Sequence, residues 1–391
     1  MPSVLSLSDS SENERTGRDP SEEVTDPEET RDCLVPYFAC QRESRRPCVN
    51  QALVDELAPI REWRFLQYGT DSKEFISYAT AVSAIIGAPF KTETVAQARR
   101  LPKVGDKIVT KVDEFLRTGQ IKESGDLATS ERFRVLRELT SIHGIGPSTA
   151  RRLYDEDGVR SLEEVIPRFK PEAQQFFHKY HEDLLEKIPR AEVESIHQFV
   201  KIQLDRILLG SHSILCGGYR RGKEYSNDVD ILITWPHQEG VEKGILRLLV
   251  ERLQAKGLIP SDRILGMSEA GTLRDIAANK PATKLDGLDR AMVVFRHPPD
   301  TASGRLETKY RRVDLVVVNW HNWGTAVVGW TGSTQFKRDL RRVAERKGFK
   351  FDSGGIRTRD SGQAVPAQSE EDVFRVLGLQ YLPPECRNAD P

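Results

Sequence analysis

The spacing of apolar residues changes once along the chain, from a helical period to a strand-like one. Between residues 49 and 210, apolar side chains recur three and four positions apart, which is typical of helices that bury one face. Between residues 211 and 328, apolar residues alternate with polar ones or run together, as expected for strands. The pattern predicts an α+β multidomain protein, in which N-terminal helical domains precede a sheet and a C-terminal α/β subdomain.

The chain divides into five predicted parts. Residues 1–32 hold ten acidic and three basic residues with few aromatic side chains, which favours a disordered acidic, serine-rich head that we extend to residue 47. The other parts are two helical domains at 48–122 and 123–210, a sheet domain at 211–328 and a C-terminal subdomain at 329–391. The residues after 32 include 55 basic and 49 acidic ones, a net charge of +6, although the whole chain carries −1. A basic body of this kind suits an acidic partner such as nucleic acid.

The composition excludes several classes of protein. Charged residues make up 30% of the chain and the mean hydropathy is −0.50, which indicates a soluble protein. The sequence has no apolar run of about 18 residues that could cross a bilayer and no signal peptide at its start, so no membrane partner is predicted. The five cysteines form no Cys-x-x-Cys pair, which favours reduced thiols in a nuclear or cytosolic protein.

The candidate chemistry centres on two aspartates of one predicted strand. Asp228 and Asp230 lie two residues apart, so their carboxylates share a face of the strand. Two carboxylates a few ångströms apart repel each other and favour a hard divalent cation such as Mg²⁺. Just upstream, Gly217 and Gly218 allow close backbone approach, and positive charge comes from Arg220, Arg221 and Lys223. Together these residues predict a site for a metal-bound polyphosphate.

The motif around these aspartates resembles the nucleotidyltransferase signature of family X DNA polymerases. Residues 216–234 read Cys-Gly-Gly-Tyr-Arg-Arg-Gly-Lys-Glu-Tyr-Ser-Asn-Asp-Val-Asp-Ile-Leu-Ile-Thr, and the resemblance extends over residues 36–390. It points to mu-like enzymes of the fungal polymerase IV type and implies a palm sheet. It also implies a third catalytic carboxylate, Asp314, in the β-rich run 311–318. Asp228, Asp230 and Asp314 would bind two Mg²⁺ ions, for which Mn²⁺ can substitute.

The resemblance also implies contacts with the triphosphate of an incoming nucleotide. Arg221, together with the backbone of Gly217 and Gly218, would hold the β and γ phosphates. Lys187 falls where the family often has an arginine that contacts the triphosphate, so it is a weaker candidate for the same role.

A second motif implies contacts with the sugar. Residues 329–333 read Gly-Trp-Thr-Gly-Ser, which is similar to the mu and terminal transferase branch, and Gly329, Trp330 and Gly332 are its predicted nucleotide contacts. Gly329 is expected to leave space beside the 2′ position of the sugar, and Trp330 to face the sugar or, as an isolated tryptophan often does, to belong to the core. A pocket without a steric wall discriminates weakly between nucleotides that differ by one hydroxyl, so both dNTP and rNTP are predicted substrates.

Two glycine turns between helical stretches predict helix-hairpin-helix motifs that bind DNA. Gly105 lies within residues 101–112, and Gly144 and Gly146 lie within residues 142–153. Amides at a helix N-terminus can hold a DNA phosphate without reading sequence. Two such motifs suit DNA that is gripped on both sides of a gap or broken end, and a monovalent cation at the motifs is a further candidate ligand. In a basic helix near the C-terminus, Arg338 and Arg341 match family positions that touch the templating nucleotide and the minor groove; the alternative is a solvated basic helix.

The first hairpin carries a candidate second activity. Lys111 lies six residues after Gly105, where many members of the family have the Schiff-base lysine of a 5′-deoxyribose phosphate lyase, and Tyr78 and Lys107 match accompanying positions. A lysine nucleophile must lose its proton, which neighbouring Lys107 would favour. The alternative is a lysine that only binds phosphate, and Glu74, where a basic residue would help, counts against the lyase.

The resemblance as a whole implies a template-directed, gap-filling DNA polymerase of double-strand break end joining and base excision repair, a nuclear monomer with end-joining factors as partners. Two alternatives are a non-catalytic protein that bridges DNA ends and another nucleotidyltransferase of the same superfamily.

Three features of the chain differ from the family or are inserted in it. The 47 residues before the first helical domain cannot hold a BRCT domain, which puts recruitment through one in doubt. Asn227 replaces a histidine linked to untemplated addition. The long polar stretch 266–290 is expected to be a loop that holds a primer, and the alternative is an insertion without a function.

Overall fold

The computed structural model describes residues 33–236, 244–260, 264–268, 288–299 and 307–391, and these form two compact units. The first unit contains the residues up to Tyr37 and Ala52–Gln175. The second contains Phe38–Gln51 and the described residues from Phe176 to Pro391. Among the described residues, no helix combines the length and the apolar character that a membrane crossing needs.

The first unit is built from helices. Their bounds are α1 Gln51–Tyr68, α2 Lys73–Ile86, α3 Val95–Arg99, α4 Asp106–Thr118, α5 Lys122–Thr129, α6 Glu131–Ser141, α7 Pro147–Asp155 and α8 Leu162–Val165, and α9 Pro171–Leu185 leads into the second unit. Side chains cap several of the N-termini: Ser72 accepts from Phe75 N, and Ser130 accepts from Phe133 N. At the other end of α4, Gly119 adopts the left-handed conformation that ends a helix.

The second unit is organised on a five-stranded sheet. Its elements before the C-terminal part are β1 Ile188–Pro189, α10 Arg190–Asp205, β2 His212–Leu215, α11 Gly217–Arg220, β3 Tyr225–Ser226, β4 Val229–Thr234, α12 Ile245–Ala255, β5 Ile264–Ser268, β6 Asp289–His297 and β7 Lys309–Val317. The strand order of the sheet is β2-β4-β7-β6-β5, in which β4 and β7 are parallel and the other neighbours antiparallel. β4 and β7, the strands at the candidate aspartates, are therefore inner strands, and each has a hydrogen-bonded neighbour on both edges.

The alternation of side chains on β4 and β7 decides which face of the sheet carries the acids. Ile231 and Ile233 join a core cluster with α10 and α12 on one face of the sheet. Leu232 and Val316 belong to a second cluster that includes side chains of the helix after β7. Because residues two apart share a face, Asp230 lies on the same face as Leu232, and Asp314 on the same face as Val316.

The C-terminal subdomain combines three helices with a small sheet. Its elements are α13 Trp323–Thr331, α14 Thr334–Arg346, β8 Phe349–Asp352, β9 Gly355–Thr358, β10 Ala364–Val365 and α15 Glu370–Val376, and the strands pair in the order β10-β9-β8. A capping box starts α15, since Ser369 Oγ accepts from Asp372 N and Asp372 Oδ2 accepts from Ser369 N. The predicted α+β organisation, with helices before a sheet, is confirmed.

Several segments lie elsewhere than the sequence indicated. Residues 38–47, which the sequence places in the head, lie in the second unit, and Ala39 and Cys40 are fully buried there. The expectation of a loop over 266–290 is wrong at both ends, because β5 and β6 extend into it; residues 269–287 lie outside the described part. Helix α13 also runs across the predicted boundary between residues 328 and 329.

Candidate active site

The three predicted carboxylates come together at one end of the sheet. Asp230 on β4 and Asp314 on β7 are register partners across the parallel pair, and Asp228 lies just before β4. Asp314 is 4% exposed, whereas Asp228 and Asp230 are partly exposed. The side chain two residues before Asp314 belongs to Arg312, which the sequence analysis did not single out.

Arg312 neutralises part of this acidic group. Its Nη2 atom donates to Asp228 Oδ2, and its Nε atom lies 3.6 Å from Asp314 Oδ1. Burial raises the pKa of Asp314 to about 6, against the opposing charge of Arg312 and with a further rise from Asp228. Burial, together with the charges of Asp228 and Asp314, raises the pKa of Asp230 well above its ordinary value. The site therefore concentrates more negative charge than Arg312 balances.

The donor set fits a hard divalent cation. Its members offer carboxylate oxygens, and Asp314 Oδ1 is buried and has no hydrogen-bond donor within the described structure. No group of three or more His, Cys, Asp or Glu side chains among the described residues stands ready-made around one metal position. The guanidinium of Arg312 lies beside two of the three acids, which leaves other carboxylate oxygens of the set for a cation.

Gly217 brings the backbone directly against Asp230. Its φ is +57°, a conformation that favours glycine, and a Cβ atom built there would lie 2.0 Å from Asp230 Oδ2. Gly218 is less restricted, since its Cβ position would be 3.3 Å from the flexible side chain of Lys223. Two adjacent glycines allow α11 to begin beside the carboxylate, which no residue with a side chain could do at Gly217.

Arg221, directly after α11, connects the Gly-Trp-Thr-Gly-Ser motif with the C-terminal residues of the chain. Its Nη1 atom donates to the Thr331 carbonyl, and its Nε atom donates to Asn388 Oδ1 at 3.1 Å. A Cβ atom on Gly332, whose φ is +73°, would be 3.1 Å from Arg221 Nη1. The predicted phosphate ligand and the predicted sugar motif are thus in direct contact.

Arg220 is held by an acid that the sequence analysis missed. It donates to both carboxylate oxygens of Glu370, at 2.9 and 2.6 Å, and Glu370 also accepts from Arg387 Nη1 at 2.6 Å. Burial alone would raise the pKa of the Glu370 carboxyl, but Arg387 and Arg220 outweigh burial and the pKa is lowered. This ion triad ties α11 to α15 and the C-terminal segment.

Lys187 lies beside the aspartate motif rather than within it. Its Nζ atom donates to Asn227 Oδ1, the side chain immediately before Asp228. Asn227 stands where the resemblance expected a histidine, and it fixes the ammonium of Lys187 next to the acidic group.

Gly329 does not face open space on its side-chain side. A Cβ atom there would lie 2.4 Å from Ser353 Oγ and 2.9 Å from Ser353 Cβ, in the turn between β8 and β9. Ser353 therefore fills the direction in which a side chain at position 329 would point, and space beside the 2′ position of the sugar stays a prediction. Trp330 is half-buried against the cluster with Trp323, and its Nε1 atom has no hydrogen-bond partner in the described structure.

Lys111 in the first unit forms an ion pair. Its Nζ atom lies 3.1 Å from Glu123 Oε2 and 3.8 Å from Glu114 Oε2, and Arg64 also donates to Glu123, at 2.6 Å. The guanidinium of Arg64 in turn lies 5.0 Å from the ring centroid of Tyr78. Burial would raise the pKa of Glu123, but hydrogen bonds from Lys111 and Arg64 lower it. Lys107, one turn earlier on α4, is exposed.

Both predicted hairpins place a glycine at a helix N-terminus. Gly105 precedes α4 and Gly146 precedes α7, and Gly144 has a φ of +90°. Both N-caps are glycine and supply no side-chain acceptor to the first amides of α4 and α7, which are the amides that a phosphate can bind at a helix N-terminus. Lys103, in the first turn, has a φ of +62°, and its ammonium lies 4.6 Å from the ring centroid of Tyr37.

The basic helix predicted near the C-terminus is α14. Its buried side packs through Phe336, Leu340, Val343 and Ala344, whereas Arg341 is exposed and Arg338 partly exposed. Cations on the outer side of such a helix are available to a polyanion.

Comparisons with known proteins agree with this arrangement. Four domain families match the chain: the DNA polymerase beta palm at residues 187–320, the DNA polymerase beta thumb at 326–388, a helix-hairpin-helix domain at 48–121 and the fingers domain of DNA polymerase lambda at 137–185. DNA-directed DNA/RNA polymerase mu of Homo sapiens is 33% identical over 365 residues, which span 91% of this chain and 72% of the relative. DNA nucleotidylexotransferases of Xenopus laevis and Homo sapiens are 29% and 30% identical, and each match spans 91% of this chain and 71% of the relative.

Proposed function

Because this chain belongs to the family X DNA polymerases, we propose that it fills short gaps in DNA by template-directed nucleotidyl transfer. Membership of the family makes it a DNA polymerase, an enzyme that transfers a nucleotide to a primer. The finer proposal is that it acts as a monomer in the nucleus, on gaps and broken ends in base excision repair and end joining. End-joining factors are its proposed partners.

One observation carries the proposal. Asp230 and Asp314 are register partners on adjacent parallel strands, and Asp228 lies two residues before Asp230, just before β4 begins. Asp228, Asp230 and Asp314 would hold two Mg²⁺ ions, which when bound neutralise the triphosphate and act as Lewis acids at the reacting oxygens. Mn²⁺ offers the same preference for oxygen ligands.

The residues around this site suit the bond changes of the reaction. The primer 3′-oxygen forms a bond to the α-phosphorus, and the bond from that phosphorus to pyrophosphate breaks. Asp314, a buried carboxylate that is the register partner of Asp230, is proposed to receive the proton of the 3′-hydroxyl. Arg221 uses Nε and Nη1 in bonds to Asn388 and Thr331, which leaves further N–H donors for the β and γ phosphates.

Extension across a one-nucleotide gap tests the proposal. The wild type, Asp314→Ala and the exposed control Asp360→Ala are compared with and without a downstream 5′-phosphate, at equal gapped-DNA occupancy. Loss of a carboxylate needed in the transition state is expected to lower the rate by at least about 10³-fold in Asp314→Ala only, or about 4 kcal/mol. Incorporation by Asp314→Ala at the wild-type rate would overturn the assignment.

We also propose that the enzyme accepts ribonucleotides. Gly329 places no side chain beside the sugar of a nucleotide bound at the Gly-Trp-Thr-Gly-Ser motif. The name of one relative, DNA-directed DNA/RNA polymerase mu, supports the use of both dNTP and rNTP. Because Ser353 fills the side-chain direction of Gly329, the proposal rests on the backbone of the motif with Trp330 and Gly332. Single-nucleotide extension with rNTP and dNTP measures the ratio of kcat/KM, and a preference for dNTP on the order of several hundredfold would contradict it.

Untemplated addition is the second candidate function. Several relatives are named DNA nucleotidylexotransferase, which favours it. Against it, Asn227 replaces the histidine of the resembling branch and binds Lys187. Extension of a single-stranded primer, compared with a gapped duplex, separates the two functions, and equal rates would favour untemplated synthesis. A protein that only bridges DNA ends would extend neither.

Lyase chemistry at Lys111 is proposed only as a minor activity. The lysine is on α4 near Tyr78, as the resemblance implied, but its ammonium is paired with Glu123.

The hairpin glycines Gly105, Gly144 and Gly146, with Lys107, are proposed to bind the DNA backbone on either side of the gap. A monovalent cation at the hairpins belongs to the same proposal.

A further inference from the structure

A short N-terminal segment is built into the C-terminal subdomain. We call residues 38–46 the N-terminal strap. Ala39 N donates to Asp339 Oδ2 of α14 at 2.8 Å, and both residues are buried. Ser44 N donates to the Cys386 carbonyl at 2.7 Å, and the Ser44 carbonyl accepts from Asn388 N at 2.8 Å. Arg46 Nη1 adds a bond to the Asp390 carbonyl at 3.2 Å.

The strap therefore holds one side of the C-terminal segment, residues 385–390. The other side of that segment contacts the nucleotide motif. Ser333 N donates to the Arg387 carbonyl at 3.3 Å, and Ala389 N donates to Ser333 Oγ at 3.0 Å. Gln335 N donates to Asp390 Oδ2 at 3.2 Å.

The C-terminal segment also fixes Arg221. Asn388 Oδ1 accepts from Arg221 Nε at 3.1 Å, and Asn388 Nδ2 donates to the Arg221 carbonyl at 3.0 Å. Asn388 Nδ2 donates as well to the Glu385 carbonyl at 3.1 Å. The backbone amide of the same residue is bonded to Ser44, so one asparagine connects the strap with the guanidinium.

We propose that the N-terminal strap is a positioning element for the nucleotide-phosphate site, because it fixes the C-terminal segment that orients Arg221 and Ser333. A guanidinium that binds phosphate through directed N–H donors loses effectiveness when it turns by a small angle. Ser44 and Arg46 are not among the residues proposed to bind nucleotide or metal, and their bonds lead to Asn388 and Asp390. The proposal rests on the proposed role of Arg221 in binding the β and γ phosphates.

Full-chain variants test the proposal. Ser44→Pro removes the N–H donor to Cys386, Arg46→Ala removes the bond to Asp390, and Arg45→Ala is a control at an exposed neighbour that pairs with Glu43. Three quantities are measured for each: the nucleotide KM in gap filling, the inhibition constant of inorganic pyrophosphate, and the Kd for gapped DNA. We expect Ser44→Pro and Arg46→Ala to raise the first two by about fivefold with the DNA Kd unchanged, since only phosphate binding is affected.

The outcomes separate this inference from the proposed function. Arg221→Ala is measured beside the strap variants, and if it changes neither the nucleotide KM nor the pyrophosphate constant, the role given to Arg221 fails. If Arg221→Ala raises both and the strap variants raise neither, only the strap proposal is overturned. A parallel rise in the Kd for DNA would indicate general loss of structure and would also overturn it. Should Ser44→Pro not fold, Arg46→Ala decides the matter.

Discussion

Ser353 Oγ lies only 2.4 Å from the position that a Cβ atom on Gly329 would take, so the two cannot both be present. Ser353 lies in the β8–β9 turn and is buried, so the turn rests directly on α13. The glycine of the nucleotide motif is thus required by packing within the subdomain, whatever it does for the sugar.

We expect Gly329→Ala to destabilise the protein by about 1–3 kcal/mol, the usual cost of forcing a methyl group into a filled site. Ser353→Gly in the same chain is expected to recover much of the loss, since it removes the opposing atoms. Urea unfolding of the single and double variants gives the coupling energy. Gly125→Ala is the control, because nothing lies within 4 Å of its Cβ position on α5. Additive effects of the Gly329 and Ser353 changes would contradict the packing argument.

Glu370→Gln is expected to cost about 3–5 kcal/mol, because it leaves the buried guanidinium of Arg387 without its anionic partner. The pKa of Glu370 is lowered in the folded protein, so its contribution is present above the ordinary carboxyl pKa and is lost as pH falls through the folded value. Unfolding by urea between pH 3 and pH 7 is the measurement.

The matched control for Glu370 is Glu371→Gln, an exposed acid on the same helix. For Glu371→Gln we expect little change in the free energy of unfolding or in its dependence on pH. If the difference in unfolding free energy between wild type and Glu370→Gln stays constant as the pH falls below the ordinary carboxyl range, the carboxylate form is not what stabilises the triad.

Glu123→Gln is expected to increase Schiff-base formation at Lys111. The Lys111 nitrogen must leave its ion pair with the Glu123 carboxylate, 3.1 Å away, before it can attack an aldehyde, and a neutral glutamine weakens that pair. Borohydride trapping on DNA with an incised abasic site measures the adduct, and we expect an increase of about fivefold, the factor that corresponds to an ion pair worth about 1 kcal/mol. Glu114→Gln, whose carboxylate lies 3.8 Å away, should change it less. Equal trapping by all three proteins would refute the role of the ion pair.

Arg341→Ala is expected to weaken binding to gapped DNA equally for all sequences. If the exposed guanidinium neutralises one phosphate, the slope of log Kd against log salt should fall by about 0.9. Fluorescence anisotropy between 50 and 200 mM salt measures it. Lys256→Ala removes the same charge at the end of α12 and should leave the slope unchanged. A slope altered equally in both variants would mean that only net charge matters.

The sequence predicted those parts of the site that have a local signature. Alternation of side chains placed Asp228 and Asp230 on one face, and the resemblance to a known family pointed to Asp314 in a β-rich run. Glu370 and Asn388 escaped, because they meet Arg220 and Arg221 from 150 and 167 residues away and nothing in the neighbouring sequence marks the pairing. Ser353 escaped for a similar reason, since its effect is visible only once two elements are packed.

The N-terminal strap shows a different limit. Its backbone is irregular apart from a three-residue turn at Ala39–Gln41, so it has neither a helical nor a strand period to detect. It also follows an acidic stretch, whose composition suggested that the head extends to residue 47.

The burial of Arg387 is also unexpected from composition, because charged side chains are rarely buried unless they are paired.

The partnership of Asp230 with Asp314 across two parallel strands sets what evolution can alter around this site. Deleting one residue within either strand would turn its carboxylate to the opposite side, toward the apolar cluster with α10 and α12. Insertions in the connections between strands leave that alignment untouched. Length should therefore vary among relatives between the strands and stay constant within them.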